Sequence, residues 1–173
     1  MTYLTELTNA MTLLGKQPNA IFMGQAVADP GTGMTQSFDG ITRDRLLELP
    51  VAEEMQLGMA IGMSLNGYLP ICIYPRINFL LLAMGQLVLH LDALPRYSQY
   101  KPKVIIRTAI AHDKPLDPGH QHLGDYTTAF RLMLKTVHVE RLDTALNVRT
   151  AYHAALAREG SSLLIERHNM YDK

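Results

Sequence analysis

The chain has 173 residues, enough for one domain of ordinary size with a real core. Its 16 Lys and Arg balance 16 Asp and Glu, so no bulk field directs it to nucleic acid or an anionic membrane, and small molecules or proteins remain as partners. A single cysteine, Cys72, rules out an intramolecular disulfide framework; together with an N-terminus that lacks a basic region followed by an apolar block, it points to a reducing, cytoplasmic setting.

Leu4, Leu7, Met11 and Leu14 recur at helical spacing and predict a helix over Thr2 to Leu14. A Gln17-Pro18-Asn19 turn leads into a short apolar strand, Ala20 to Met23. Ala28 to Gly40, with Asp29-Pro30-Gly31-Thr32-Gly33, reads as loop. A helix is expected from Glu53 to about Asn66, ended by Gly67 in the left-handed position that follows helices. Strand Leu69 to Tyr74, helix Phe79 to about Leu94 and strand Lys103 to Ile110 come next, then a polar loop. Helix Tyr126 to Leu134, strand Thr136 to Val139, helix Asp143 to Arg158 and strand Ser162 to Glu166 complete the pattern. Strands alternating with helices predict an α/β fold, a parallel sheet with helices on both faces that binds ligands at the carboxyl ends of its strands. Glu53, Phe79 and the histidine-bearing loop Asp113 to Asp125 fall at or just beyond such ends.

Two of these helices are unusual. In Glu53-Glu54-Met55-Gln56-Leu57-Gly58-Met59-Ala60-Ile61-Gly62 a carboxylate opens a helix that is otherwise apolar and carries two glycines, each costing about 1 kcal/mol against alanine, so something is expected to approach it closely. Glu53 sits in the first turn, where the helix dipole favours an anion; by position alone the plainer reading, a solvated helix-start residue, is the one preferred. Ile77 to Leu91 is apolar nearly all round yet contains Gln86 and His90 and is shorter than the roughly 20 residues a bilayer span needs. A protein partner is expected to cover it, and the ten methionines suit adaptable packing at such a contact.

Taken in order, these residues resemble the pyrimidine-binding domain of thiamine diphosphate enzymes, particularly the first domain of the beta subunit of 2-oxo acid dehydrogenase decarboxylases. Ile21 to Ala28 is similar to that family's opening strand and loop, and Pro50-Val51-Ala52-Glu53 followed by Gly58 and Gly62 to its most diagnostic motif. Asn78-Phe79 with Gln86 seven residues later resembles its second helix, Val104-Ile105-Ile106-Arg107 its middle strand, and Gly119-His120-Gln121-His122 the segment that brings a histidine to the cofactor. Leu163-Leu164-Ile165-Glu166 followed by Tyr171 resembles its last strand. The chain departs from the pattern at Leu123-Gly124, where the family has Ser-Gln, and at Gly85 and Leu89, where it has Asp and Asn.

The resemblance implies a single pyrimidine-binding domain over residues 1–173, with the diphosphate-binding and C-terminal domains elsewhere. It implies thiamine diphosphate as cofactor, Glu53 exchanging a proton with the pyrimidine ring, Phe79 stacked on that ring, Gln86 also at the cofactor, and His122 facing the substrate as proton donor or orienting group. Each has a plainer reading: Phe79 as core, His122 as a loop histidine, and Glu54 as a rival to Glu53, about 100° further around the helix. His112, His120 and His122 lie close in sequence, but no cysteine supports them and their spacing fits no zinc pattern, so no metal is expected on this chain. The family holds diphosphate through magnesium with a Gly-Asp-Gly motif and a downstream Asn; the only Gly-Asp is Gly124-Asp125-Tyr126, where tyrosine removes the third glycine's freedom. Half an active site is therefore expected, completed in a homo-dimer or hetero-tetramer by a chain that carries the Gly-Asp-Gly domain and the magnesium. The chemistry would be cleavage of a carbon–carbon bond next to a carbonyl in a 2-oxo acid; a split transketolase half and a non-catalytic assembly subunit are the alternatives.

Overall fold

Thr2 ends the extended N-terminus by accepting from the Thr5 amide at 3.2 Å, which starts helix α1 (Tyr3–Gly15). Strands β1 (Ala20–Gly24), β2 (Leu46–Glu48), β3 (Leu69–Tyr74), β4 (Ile105–Ile110), β5 (His138–Leu142) and β6 (Ser162–Arg167) form one sheet in the order β2-β1-β3-β4-β6-β5. Every pairing is parallel. This computed structural model describes residues 1–28, 32–111 and 119–171.

Because the strands alternate and both faces are covered, β3 is buried along its whole length. Ile71 and Ile73 join a core with Tyr3, Leu7, Met11 and Leu14 of α1 and with Val148, Ala151 and Tyr152 of α6 (Ala145–Ala157). Cys72 and Tyr74 point the other way, into a core with Leu57, Ala60 and Ile61 of α2 (Glu53–Leu65) and with Phe130 of α5 (Thr127–Met133). The α/β architecture expected from the sequence is therefore the one observed.

One charged pair lies inside. Arg107 on β4 and Glu166 on β6 are both fully buried and joined through Nε–Oε1 at 2.5 Å and Nη2–Oε2 at 3.0 Å. Tyr152 donates to Glu166 Oε1 at 2.6 Å, Tyr171 donates to Oε2, and Arg107 Nη1 donates to the Met34 carbonyl at 3.1 Å. Burial alone would disfavour the cation, but Glu166 overrides it and holds the guanidinium more firmly protonated than usual. The network ties two strands, α6, the chain's last turn and the loop at Met34 together.

Several boundaries differ from the expected ones. The three-residue strand β2 was not expected, being too short to show alternation. The stretch from Ala28 to Gly40 contains a 3₁₀ turn, Gly33–Ser37, and residues 29–31 lie outside the described ones. β4 starts at Ile105 rather than Lys103, and β5 runs from His138 to Leu142 rather than from Thr136 to Val139. The helix placed over Phe79 to Leu94 is broken: α3 (Ile77–Leu80), a 3₁₀ turn (Leu81–Ala83), a π-helical segment (Gly85–Leu91) and α4 (Leu94–Tyr97), with a 60° bend. An uninterrupted apolar run conceals this slip of hydrogen-bond register. Asp92 anchors the far end, its buried Oδ1 accepting from the amides of Lys135 and Thr136 at 2.7 Å and of Val137 at 3.0 Å. Burial pushes that carboxyl up, but these amides win and hold it below its ordinary value. Among the described residues no single helix is long and apolar enough to cross a membrane.

Candidate active site

The chain leaves β1 for the edge strand β2, then crosses back to β3 on the other side of β1. Such reversals open a crevice beyond the strands' carboxyl ends. A pocket lies there, lined by Gln25 after β1, Pro50 to Glu53 and Gln56 on the approach to and first turn of α2, and Ile73, Tyr74, Pro75 and Phe79 at and after the end of β3.

Close backbone approach shapes its floor. A Cβ on Gly24 would stand 2.6 Å from the Ile73 carbonyl oxygen, so glycine is required for β1 to end where it does. Gln56, 3 % exposed, donates Nε2 to the carbonyls of Met23 at 3.2 Å and Ile73 at 3.1 Å, clamping β1 to β3 at the crevice. On the opposite rim Glu48 ends β2 and accepts three successive amides, Ala26 at 2.5 Å, Val27 at 2.9 Å and Ala28 at 2.8 Å, with Ala26 in the left-handed region at φ 52°. That clasp fixes the loop that carries Gln25.

Glu53 is half-buried at the start of α2, whose N-cap, Ala52, offers no side chain to the first-turn amides. The carboxylate therefore meets the uncompensated positive end of the helix. Tyr74 donates its hydroxyl to the Glu53 carbonyl at 3.0 Å and so fixes this turn against β3. Burial, then the neighbouring Cys72 and Glu53, push the Tyr74 hydroxyl far above its usual value, which keeps it a donor. Burial likewise pushes the Cys72 thiol up to about 12, with the Gln56 amide pulling weakly back.

Of the residues expected at a site, Glu53 and Phe79 share this pocket. His122 joins them through Phe79: it sits in a short 3₁₀ turn, its ring centroid is 5.3 Å from that of Phe79 at 53°, and its Nδ1 is buried with no hydrogen-bond partner. Gln86 does not line the pocket. It lies in a separate open groove with Glu54, Met55, Gly58 and Met59, where a Cβ on Gly58 would meet its side chain at 3.6 Å. Neither glycine shows the close approach expected within the chain: the contact at Gly58 is of ordinary van der Waals length, and Gly62 faces nothing within 4 Å. Glu54 is exposed, as its position a third of a turn from Glu53 requires.

Among the described residues no group of three His, Cys, Asp or Glu side chains could hold a metal ion; His112 and residues 113–118 of the loop lie outside them. Asp125 of the lone Gly-Asp pair is already engaged. Its Oδ1 accepts from the Thr127 amide at 2.9 Å and hydroxyl at 2.5 Å, and its Oδ2 pairs with Arg141 at 3.0 Å. The Tyr126 ring folds over Gly124, 2.6 Å from where a Cβ would stand. Sequence reasoning missed Gln56, Tyr74 and Glu48, for which local pattern carries no signal.

Relatives of known sequence and structure share this fold. The chain is 34 % identical over 117 residues to the pyruvate dehydrogenase E1 component subunit beta of Chaetosphaeridium globosum, covering 64 % of the chain and 36 % of that protein. It is 25 % identical over 169 residues to the same subunit of Cyanidium caldarium, covering 92 % of the chain and 49 % of the relative. The chain thus spans half or less of the length of the curated relatives it matches. In fold it is similar to a split-gene transketolase solved as an inactive beta4 tetramer, with TM-score 0.74 and 19 % identity over 97 % of the chain and 52 % of that one. A thiamin diphosphate-dependent enzyme from Mycobacterium smegmatis is similar at TM-score 0.68 and 18 % identity, over 100 % of the chain and 32 % of that one. The family profile described as transketolase, pyrimidine binding domain, matches residues 1–173, and the chain belongs to that family.

Proposed function

We propose that this chain is the pyrimidine-side subunit of a split thiamine diphosphate-dependent enzyme that cleaves a carbon–carbon bond next to the carbonyl of a 2-oxo acid. The observation that carries the proposal is the pairing of Glu53 and Phe79 in one pocket at the β1–β3 crevice, a carboxylate at a helix mouth beside an aromatic face. This donor set fits an aminopyrimidine: a flat ring against Phe79 and a ring nitrogen against the Glu53 carboxylate. When bound, thiamine diphosphate supplies the nucleophilic carbon that attacks the substrate carbonyl. Glu53 would hold the ring there and exchange a proton with the far pyrimidine nitrogen. Phe79 fixes the ring plane. His122, packed on Phe79, orients the substrate or hands it a proton through the ring nitrogen that has no protein partner. Gln86 lines the adjoining groove and serves subunit contact in this reading rather than the cofactor.

Magnesium and diphosphate belong to a partner chain. In support, Asp125 is already engaged by Thr127 and Arg141, while Met55, Met59, Leu82 and Leu89 remain exposed around the groove and the bent helix. A hetero-tetramer with a Gly-Asp-Gly subunit covers that surface, and a reducing, cytoplasmic compartment suits the lone buried thiol. The test is Glu53→Gln reconstituted with the partner. Loss of thiamine-dependent turnover with assembly intact by ultracentrifugation is expected; unchanged turnover removes Glu53 from the mechanism, and an active cofactor-binding monomer removes the partner.

A further inference from the structure

Three buried polar atoms without a hydrogen-bond partner belong to residues gathered around Phe79: Arg76 Nη1, Asn78 Oδ1 and His122 Nδ1. Arg76 and Asn78 stand three residues and one residue before Phe79 in the chain. Pro75 and Phe79 both line the pocket, and Arg76 lies between them in the chain, its carbonyl accepting from the Phe79 amide at 3.0 Å. Asn78 Nδ2 donates to the Gln121 carbonyl at 3.0 Å and so fastens the turn that carries His122 to the start of α3. The His122 ring packs on Phe79.

A buried guanidinium N–H without an acceptor is costly, and a purely structural arginine in this fold is paired, as Arg107 is with Glu166. Arg76 makes no ion pair among the described residues and, unlike Arg107, stands in the chain between two pocket-lining residues, Pro75 and Phe79. Its free N–H and the His122 nitrogen are matched to an acidic oxygen, and the free Asn78 carbonyl to an O–H on the same ligand.

We infer that Arg76, Asn78 and His122 form a receptor for an anionic oxygen group beside the Phe79 ring, the carboxylate or phosphate by which the substrate is held. That the anion is the substrate's own rests on the proposed function; the receptor itself does not. Arginine presents a planar fork suited to either group, which makes Arg76 the residue that selects acidic over neutral substrates.

The test titrates the full chain with pyruvate and, separately, with inorganic phosphate, following His122 by imidazole nitrogen NMR, with thiamine titrated in parallel by tyrosine fluorescence. Saturable binding of pyruvate or phosphate is expected, weakened about tenfold or more by Arg76→Gln and by Asn78→Asp, with Arg76→Lys intermediate and thiamine affinity unchanged in all three. Circular dichroism checks that each variant is folded, and Arg76→Lys keeps the test decisive where Arg76→Gln is not. Pyruvate as the tighter ligand assigns a carboxylate, phosphate a phosphorylated substrate. Equal affinities for wild type and Arg76→Gln, or no saturable binding by wild type up to about 10 mM, overturn the receptor. Loss of thiamine binding with anion binding intact refutes the pyrimidine reading alone.

Discussion

Replacing Gln56 by leucine removes the clamp between β1 and β3 while nearly preserving volume. The two hydrogen bonds it makes, to the Met23 carbonyl at 3.2 Å and the Ile73 carbonyl at 3.1 Å, are buried and contribute about 0.5–1.5 kcal/mol each, so Gln56→Leu is expected to cost about 1–3 kcal/mol. The apolar side chain recovers little, because the site already sits in a packed core at 3 % exposure. In urea, with a slope of about 2 kcal/mol per molar, the unfolding midpoint falls by about 0.5–1.5 M. Equilibrium unfolding followed by circular dichroism measures this directly. A midpoint within about 0.2 M of wild type, with an unchanged slope, would refute the argument that the amide holds the crevice closed at its base.

Glu166→Gln is expected to destabilise the chain by about 3–5 kcal/mol, since it leaves the Arg107 cation buried without its counter-ion. The double replacement Arg107→Met with Glu166→Leu costs less than the single change; urea midpoints that rank the two the other way contradict the account of that network. Cys72 is expected to resist a thiol reagent at pH 8 in the native chain and to react once the chain is unfolded, because its thiol is held at about 12. The raised value also fixes a sign. The stability it contributes is fully present below about pH 8.5, where unfolded thiols stay protonated, and is lost as the pH rises toward and through about 12; Cys72→Ala flattens that alkaline decline.

The layer order and the position of Glu53 were legible because both depend on local pattern: apolar runs alternating with helical spacing, and a carboxylate in the first turn of an apolar helix. What escaped depends on partners far apart in sequence. Gln56 reaches across 33 residues to Met23, and Arg107 across 59 to Glu166, so neither pairing leaves a trace in a window of a dozen residues. The π-helical segment was hidden for another reason: with Leu87, Val88, Leu89 and Leu91 nearly every position is apolar, so the pattern looks the same whichever hydrogen-bond register the backbone takes. Gln86 shows the limit of spacing. Seven residues beyond Phe79 is two turns of a regular helix and would put both on one face, but the 60° bend between them sends Gln86 to the Gly58 groove.

The crevice beyond Gly24 and Tyr74 exists because of the order in which the polypeptide winds its strands, first outward to β2 and then back across to β3. Its position depends on that winding and not on the groups that line its mouth. Descendants of this chain can therefore exchange the groups around it, and with them the molecules admitted, while the doorway stays at the same address in the fold.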